Sequence, residues 1–330
     1  MERRRLRRGY DTTHLNTQVN EQLKQLETTK PLLAVIEAVI TITSIPALAV
    51  IYCGILLALG QTNLHPALLM GIALPLYFAV ATLIARQQRG LELMVHDASH
   101  GSWCRSNRKL NDALANVLVA APVLSWLSAY WKSHRIHHGT YGGDEDPCRR
   151  RFAAMGIGHI DLSTRMKIAI AVAKWLPQYN LEYYKEIGSL SLMRWLAFWI
   201  WHLTILMAPT AVFLKYWTGM PTLEAVPVAA CLWVIFWMLP ATAFLPILRS
   251  IAESEEHDYD AGSTEFDTTY SNLGWWHRAL FHPKNDAYHV IHHMFPNIPE
   301  RVHHKVHRIL MEHDERYRSS LMRKKVLDRA

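Results

Sequence analysis

Hydrophobic residues along this chain gather into four long blocks instead of recurring at the spacing of an amphipathic helix or strand. The blocks run from Leu32 to Leu59, Pro66 to Ile84, Leu192 to Tyr216 and Ala225 to Leu248. A helix needs roughly 20 apolar residues to cross a bilayer, so each block predicts a spanning helix. Pro46 inside the first block predicts a kink or tilt. The connections "GQTNLH" and "WTGMP" are short, and each pair of blocks therefore predicts a helical hairpin. A fifth apolar stretch, Ala113 to Tyr130, is interrupted by Pro122, Ser125 and Ser128 and predicts an interfacial helix. The expected fold is an all-α integral membrane protein, with four transmembrane helices in two hairpins, an interfacial helix and a helical cytosolic cap.

The polar segments give this layout a direction. Arg3, Arg4, Arg5, Arg7 and Arg8 precede the first block; Arg86, Arg89, Arg105, Arg108, Lys109, Arg149, Arg150 and Arg151 lie between the pairs. Arg316, Arg318, Arg323, Lys324 and Lys325 lie in the tail, and both short loops lack Lys and Arg. The positive-inside rule predicts a multi-pass protein with both termini in the cytosol, which in a bacterium would mean the inner membrane. The chain divides into a basic N-terminus (1–31), a first hairpin (32–84), a cytosolic segment (85–191), a second hairpin (192–248) and a cytosolic C-terminal part (249–330), all one unit. "MERRRLRRGYDTTHLNTQ" is basic and polar and is followed by no short apolar h-region, so no signal peptide is expected. The formal charge of +7 lies beside apolar blocks, which points to anionic lipid headgroups and away from a nucleic-acid partner.

Half of the 330 residues are hydrophobic, and the mean hydropathy of zero hides the division just described. Cys53, Cys104, Cys148 and Cys231 are scattered with no CxxC pair. A disulfide framework or zinc ribbon is not expected, and the thiols read as reduced and mostly buried. The 19 histidines change the picture more. "HDASHG" carries His96 and His100, "SHRIHHG" carries His134, His137 and His138, and "YHVIHHMFP" carries His289, His292 and His293. Residues at i, i+3 and i+4 share one helix face, so each group can aim its imidazoles at a common centre. All three fall in segments assigned to the cytosol, close to span ends, which places the metal site in the cap. Eight histidines exceed one site and suit two metal ions. With no thiolate in the groups, an iron–sulfur centre is disfavoured. Two non-haem irons fit best, and ligand chemistry alone leaves zinc and copper open.

The segments "HDASHGSWCRSNRKLND", "SHRIHHGTYGGDEDP" and "NDAYHVIHHMFPNIP", in that order and with four spans, resemble the membrane-bound fatty acid desaturase and hydroxylase superfamily from about Arg86 to Pro299. The resemblance implies a di-iron centre on the cytosolic face that activates molecular oxygen, and a hydrocarbon chain that reaches it from the membrane. It also implies an electron carrier, expected to be a separate ferredoxin, rubredoxin or cytochrome b5 type of protein. The expected reaction is oxidation of an unactivated C–H bond, first as fatty acyl desaturation. Hydroxylation or ketolation of an alkyl, lipid or carotenoid substrate is the alternative, and metal transport or storage a remote one, since transporter ligands lie near the bilayer midplane.

Many members of the superfamily carry a further histidine in an Arg-x-x-x-Glu-His motif, whereas here "RSIAESEEHDYD" places Ser254 after Glu253. His257, expected on the same helix face as Glu253, is the choice for the ninth ligand, with Glu253 and His282 as substitutes. Asp97, Asp144, Asp146 and Asp286 adjoin the histidine groups and are candidates to accept a second ring N–H from a ligand. His202, inside a span, reads first as hydrogen-bonded to a neighbouring helix. His303, His304, His307 and His313 read as solvated, His159 belongs to no group, and Trp275 and Trp276 read as interfacial anchors.

Overall fold

The computed structural model describes residues 4–154, 164–186 and 191–321. His159, Arg3, Arg323, Lys324 and Lys325 lie outside the described residues. The described chain is helical, and its extended pairing is confined to isolated bridges such as His257 with Thr269.

Four helices are long and apolar enough to cross a membrane: Pro31–Gly60, Pro66–Ser99, Leu192–Thr218 and Thr222–Ser254. Proline at the first helical position starts the first two, where its missing N–H is no loss. The first helix continues through Pro46. Their outer faces are unpartnered: Leu57 is 69% exposed, Leu192 74% and Leu223 91%. Side chains this apolar, exposed all along four helices, suit lipid and not water. Consecutive helices pack along one another, the first on the second and the third on the fourth. None of the four thiols is in a disulfide, but only Cys104 is buried and Cys231 is exposed on the fourth helix. An apolar thiol on a lipid-facing surface has no reason to hide, which corrects the expectation of mostly buried cysteines.

The second helix is the important one. Its 34 residues span about 50 Å at about 1.5 Å each, well beyond the ~30 Å of a bilayer core. Its C-terminal part, from Arg86 onward, therefore continues out of the apolar layer with His96 on its last turns. Where a single interfacial helix was expected over Ala113 to Tyr130, the chain breaks. Helices Arg108–Val123 and Leu127–Thr140 meet at 89°, with Leu124 in the left-handed region between them. Pro122 has no N–H to continue the first helix, and the Asn116 side chain accepts the Leu127 N–H that opens the second. The bend sends Leu127–Thr140, with its three histidines, back across the second helix.

Two cores hold these parts. One lies among the apolar helices and includes Ile84, Leu91, Val95, Trp201 and Trp237. The other joins the N-terminal helix Thr17–Leu26, through Val19 and Leu23, to Val290, Ile291, Val306 and Leu310 of the C-terminal part. Between them runs a buried ionic network. Arg249 Nη1 donates to Glu92 at 2.6 Å and Nη2 to Asn180 at 2.9 Å, tying the second and fourth apolar helices to helix Arg165–Glu186. Arg89 is ringed by Glu92, Glu253, Glu256 and Asp286 at 3.5–3.8 Å. Removing one partner of a buried pair strands the other, at a cost of about 3–5 kcal/mol. We expect Arg249→Ala to lower the thermal unfolding midpoint in detergent markedly, and Arg318→Ala, at an exposed pair with Glu315, to leave it nearly unchanged. Equal midpoints for the two variants would show that the network is not structural.

Candidate metal centre

Four segments deliver the imidazoles. His96 sits on the last turns of the second apolar helix and His100 caps it. Gly101 then turns the chain with φ +76°, a conformation a side chain would strain. His134, His137 and His138 share one face of Leu127–Thr140. In the short helix His289–Met294, His289, His292 and His293 are buried towards the site, while Val290 and Ile291 enter the C-terminal core. His257 comes from a different kind of element than expected. The fourth apolar helix ends at Ser254, so His257 is not on its face, and the bridge to Thr269 positions it instead.

These nine histidines fall into two adjoining groups. In the first, His96 Nε2 lies 3.1 Å from His134 Nε2 and 3.0 Å from His292 Nε2. His100 Nε2 lies 2.8 Å from His134 Nε2. His138 Nε2 lies 3.0 Å from His134 Nε2 and 2.9 Å from His292 Nε2. The second contains His137, His257 and His293, whose ligand atoms lie within 4.8 Å of one another. His289 joins it through His257, Nε2 to Nε2 at 3.2 Å. The carboxylate of Glu256 completes a set with His257 and His289. Glu256 carries no sequence signal beyond its place beside His257.

The outer ring nitrogens are held from behind. His137 Nδ1 donates at 2.9 Å to Asp146, which also accepts the N–H of Gly142 and of Cys148. His96 Nδ1 lies 2.6 Å from Glu300, whose backbone N–H is held by Asp97. His257 Nδ1 faces the Tyr141 hydroxyl at 3.0 Å, and His289 Nδ1 lies 3.6 Å from Asp286. A partner on the outer nitrogen fixes the tautomer and leaves Nε2 free to ligate. Burial, reinforced by neighbouring imidazoles, holds His134, His138, His257, His292 and His293 well below the usual histidine range. Burial and the nearby arginines push His100 down to about 3. Burial would do the same to His137, but Asp146 and Cys148 outweigh it and raise that group. Neutral rings with inward lone pairs this close have no protons to share among all their contacts. The donor set suits a cation that takes imidazole nitrogen, and iron is such a cation.

Of the carboxylates named from sequence, Asp146 and Asp286 reach ligand rings directly, and Asp97 acts through Glu300. Asp144 is turned outward to Arg149 at 2.7 Å because its loop position is exposed. The sequence signals neither Glu300, which lies beyond the third histidine motif, nor Tyr141, which lies within the second segment but is a hydroxyl and not a carboxylate. The proposed substitutes for His257 are occupied elsewhere. Glu253 accepts from Arg151 and Tyr179, both at 2.7 Å, and His282 bonds Asp286 at 2.9 Å. His202 is satisfied by Pro122 O and Trp233 Nε1, both at 3.1 Å. His303, expected in solvent, is buried and bonded to Ile298 O at 3.0 Å, because its helix packs its apolar face on the C-terminal core. Beside the cage lies a cavity lined by Arg89, Glu92, Tyr130, Arg151, Phe152 and Glu253.

The sequence profile of the family described as Fatty acid desaturase matches residues 70–324. The dihydrorhizobitoxine desaturase of Bradyrhizobium elkanii is 25% identical over 252 residues, covering 72% of this chain and 68% of that protein.

The two groups predict separable losses of metal. His257→Ala should lower bound metal substantially, whereas Glu253→Gln and the exposed His313→Ala should retain it, as read by elemental analysis of purified protein. Full metal retention in His257→Ala would remove His257 from the ligand set.

Proposed function

The chain belongs to the fatty acid desaturase family, and we propose that it is a membrane-bound oxidoreductase using molecular oxygen and two iron ions to desaturate an alkyl segment of its substrate. The observation that carries this reading is the convergence of nine histidines from four segments into two adjoining groups. His96, His100, His134, His138 and His292 would hold one iron; His137, His257, His289 and His293, with Glu256 at their edge, would hold the other. Iron bound there supplies the oxygen reduction and hydrogen removal that no side chain can perform. Asp146, Asp286, Tyr141 and Glu300 orient the rings, and burial keeps bulk water out. The balance is one oxygen molecule, two protons and two electrons, with two hydrogens from the substrate, giving two waters and a double bond. The electrons would come from a separate carrier of the ferredoxin, rubredoxin or cytochrome b5 type.

The exposed apolar helices suit a substrate that arrives from the lipid, as a fatty acyl chain would. The charged lining of the cavity favours one with a polar group close to the carbons oxidised, since alkyl groups gain nothing against buried ions. These charges also set this cavity apart from the dry apolar channel that a plain hydrocarbon would need. The similar bacterial protein is named for dihydrorhizobitoxine and not for a fatty acid.

Lipid and small-metabolite profiles of cells with the protein, compared with cells carrying His292→Ala, should show a product lighter by two hydrogens. A product heavier by one oxygen would make the enzyme a hydroxylase, and identical profiles with full metal loading would count against an oxidative role. By the bias of Lys and Arg, both termini and the cage would face the cytosol. Cysteines introduced at Asn107, Glu145 and Ser319, all exposed, should label from that side, and one at Thr62 from the other. Labelling of Asn107 and Ser319 from opposite sides would break the four-span arrangement.

A further inference from the structure

A second set of metal-ligating side chains is buried on the far side of Asp286, and shares no residue with the cage. Glu255 follows the fourth apolar helix, His277 opens a π-turn over His277–Phe281, and His282 ends that turn. Their ligand atoms lie within 4.8 Å of one another, and the three residues are 4%, 3% and 2% exposed. His282 donates its Nδ1–H to the Asp286 carboxylate at 2.9 Å, so its Nε2 presents a lone pair to the cluster. Asn272 Nδ2 stands 3.2 Å from that lone pair, the position of positive charge that a cation would take over. His277 Nδ1 and Glu255 Oε2 approach to 2.8 Å, yet neither atom has a hydrogen-bond partner, and nor do His277 Nε2 or Asn272 Oδ1. Buried polar atoms are normally satisfied. One nitrogen of the neutral His277 ring must carry its N–H, but the other, with the Glu255 carboxylate and the Asn272 carbonyl, leaves three unmatched lone pairs in one place, which suits an ion that accepts them.

We propose that Glu255, His277 and His282 form a further metal site, distinct from the histidine cage, that takes a single divalent ion of the zinc type. Two imidazole nitrogens and one carboxylate oxygen are a usual zinc donor set, with the fourth position open to water. The cavity beside the cage is not lined by these three residues, and the ion would act as a cross-link. It would pin the end of the fourth apolar helix to the turn that leads into the third histidine motif, with Asp286 as the carboxylate shared between His282 and His289. A simple ion pair between Glu255 and His277 is the competing explanation, and it requires no metal.

The test uses the full chain purified in detergent, with iron and zinc counted by plasma mass spectrometry. In the double variant His137→Ala/His292→Ala, designed to empty the cage, a single zinc ion per chain should survive dialysis against a weak chelator. Adding Glu255→Gln or His277→Gln should remove it. Should the double variant not accumulate, zinc-edge X-ray absorption of otherwise unaltered protein decides the matter, with a nitrogen- and oxygen-ligated signal that disappears in His277→Gln. Absence of tightly held zinc from the double variant, or zinc unchanged by Glu255→Gln and His277→Gln, overturns the proposal. Because the cage is tested through iron and this site through zinc, either can fail without the other.

Discussion

Several neutral imidazoles are held with their lone pairs facing one another at hydrogen-bond distance, and the rest of the architecture serves that arrangement. Left alone, such rings would turn away towards water or protonate and repel. Here they cannot, because each is buried or half-buried and several are gripped from behind by a carboxylate or hydroxyl. Asp146 holds His137 while it accepts two backbone N–H groups, so the ligand and the start of the following helix depend on one side chain. A cation that accepts these lone pairs would convert the conflict into binding energy. Metal binding and tertiary structure would then be coupled, as expected wherever a site cannot exist in the unfolded chain.

Holding four segments against one another in this way requires a rigid frame, and the charged network supplies it. Arg89 and Glu92 lie one turn apart on the second apolar helix, just before His96. Arg249 and Glu253 lie one turn apart on the fourth, just before His257. The contacts of Arg249 with Glu92 and of Arg89 with Glu253 therefore lock the two helices at the depth where the histidines begin. Arg89, Glu92 and Glu253 also line the cavity beside the cage. Under the proposed function, these residues would both fix the frame and set the polarity that a substrate meets.

The C-terminal core works from the opposite side. His289–Met294 is too short to be stable by itself. Its place is decided by Val290 and Ile291, which pack with Leu23, Val306 and Leu310. The N-terminal helix, distant in sequence from every ligand, therefore helps to hold the third histidine motif in register. The same packing buries His303, which its basic surroundings had suggested was solvated.

The sequence by itself determined the four apolar helices and the three histidine motifs, because both are local patterns. A run of some twenty apolar residues has few options besides crossing a bilayer, and histidines at i, i+3 and i+4 share a face wherever a helix forms. His257 lies beside the other cage histidines, but a β-bridge and not the expected helix face positions it. Tertiary structure alone decided the break at Leu124, the recruitment of Glu256, Glu300 and Tyr141, the release of Asp144 to the surface and the assignment of His282 to a different cluster. Each of these depends on which side chains from distant segments arrive at the same buried point. Hydropathy and spacing contain no record of that convergence, because burial and contact between distant residues exist only once the helices have packed.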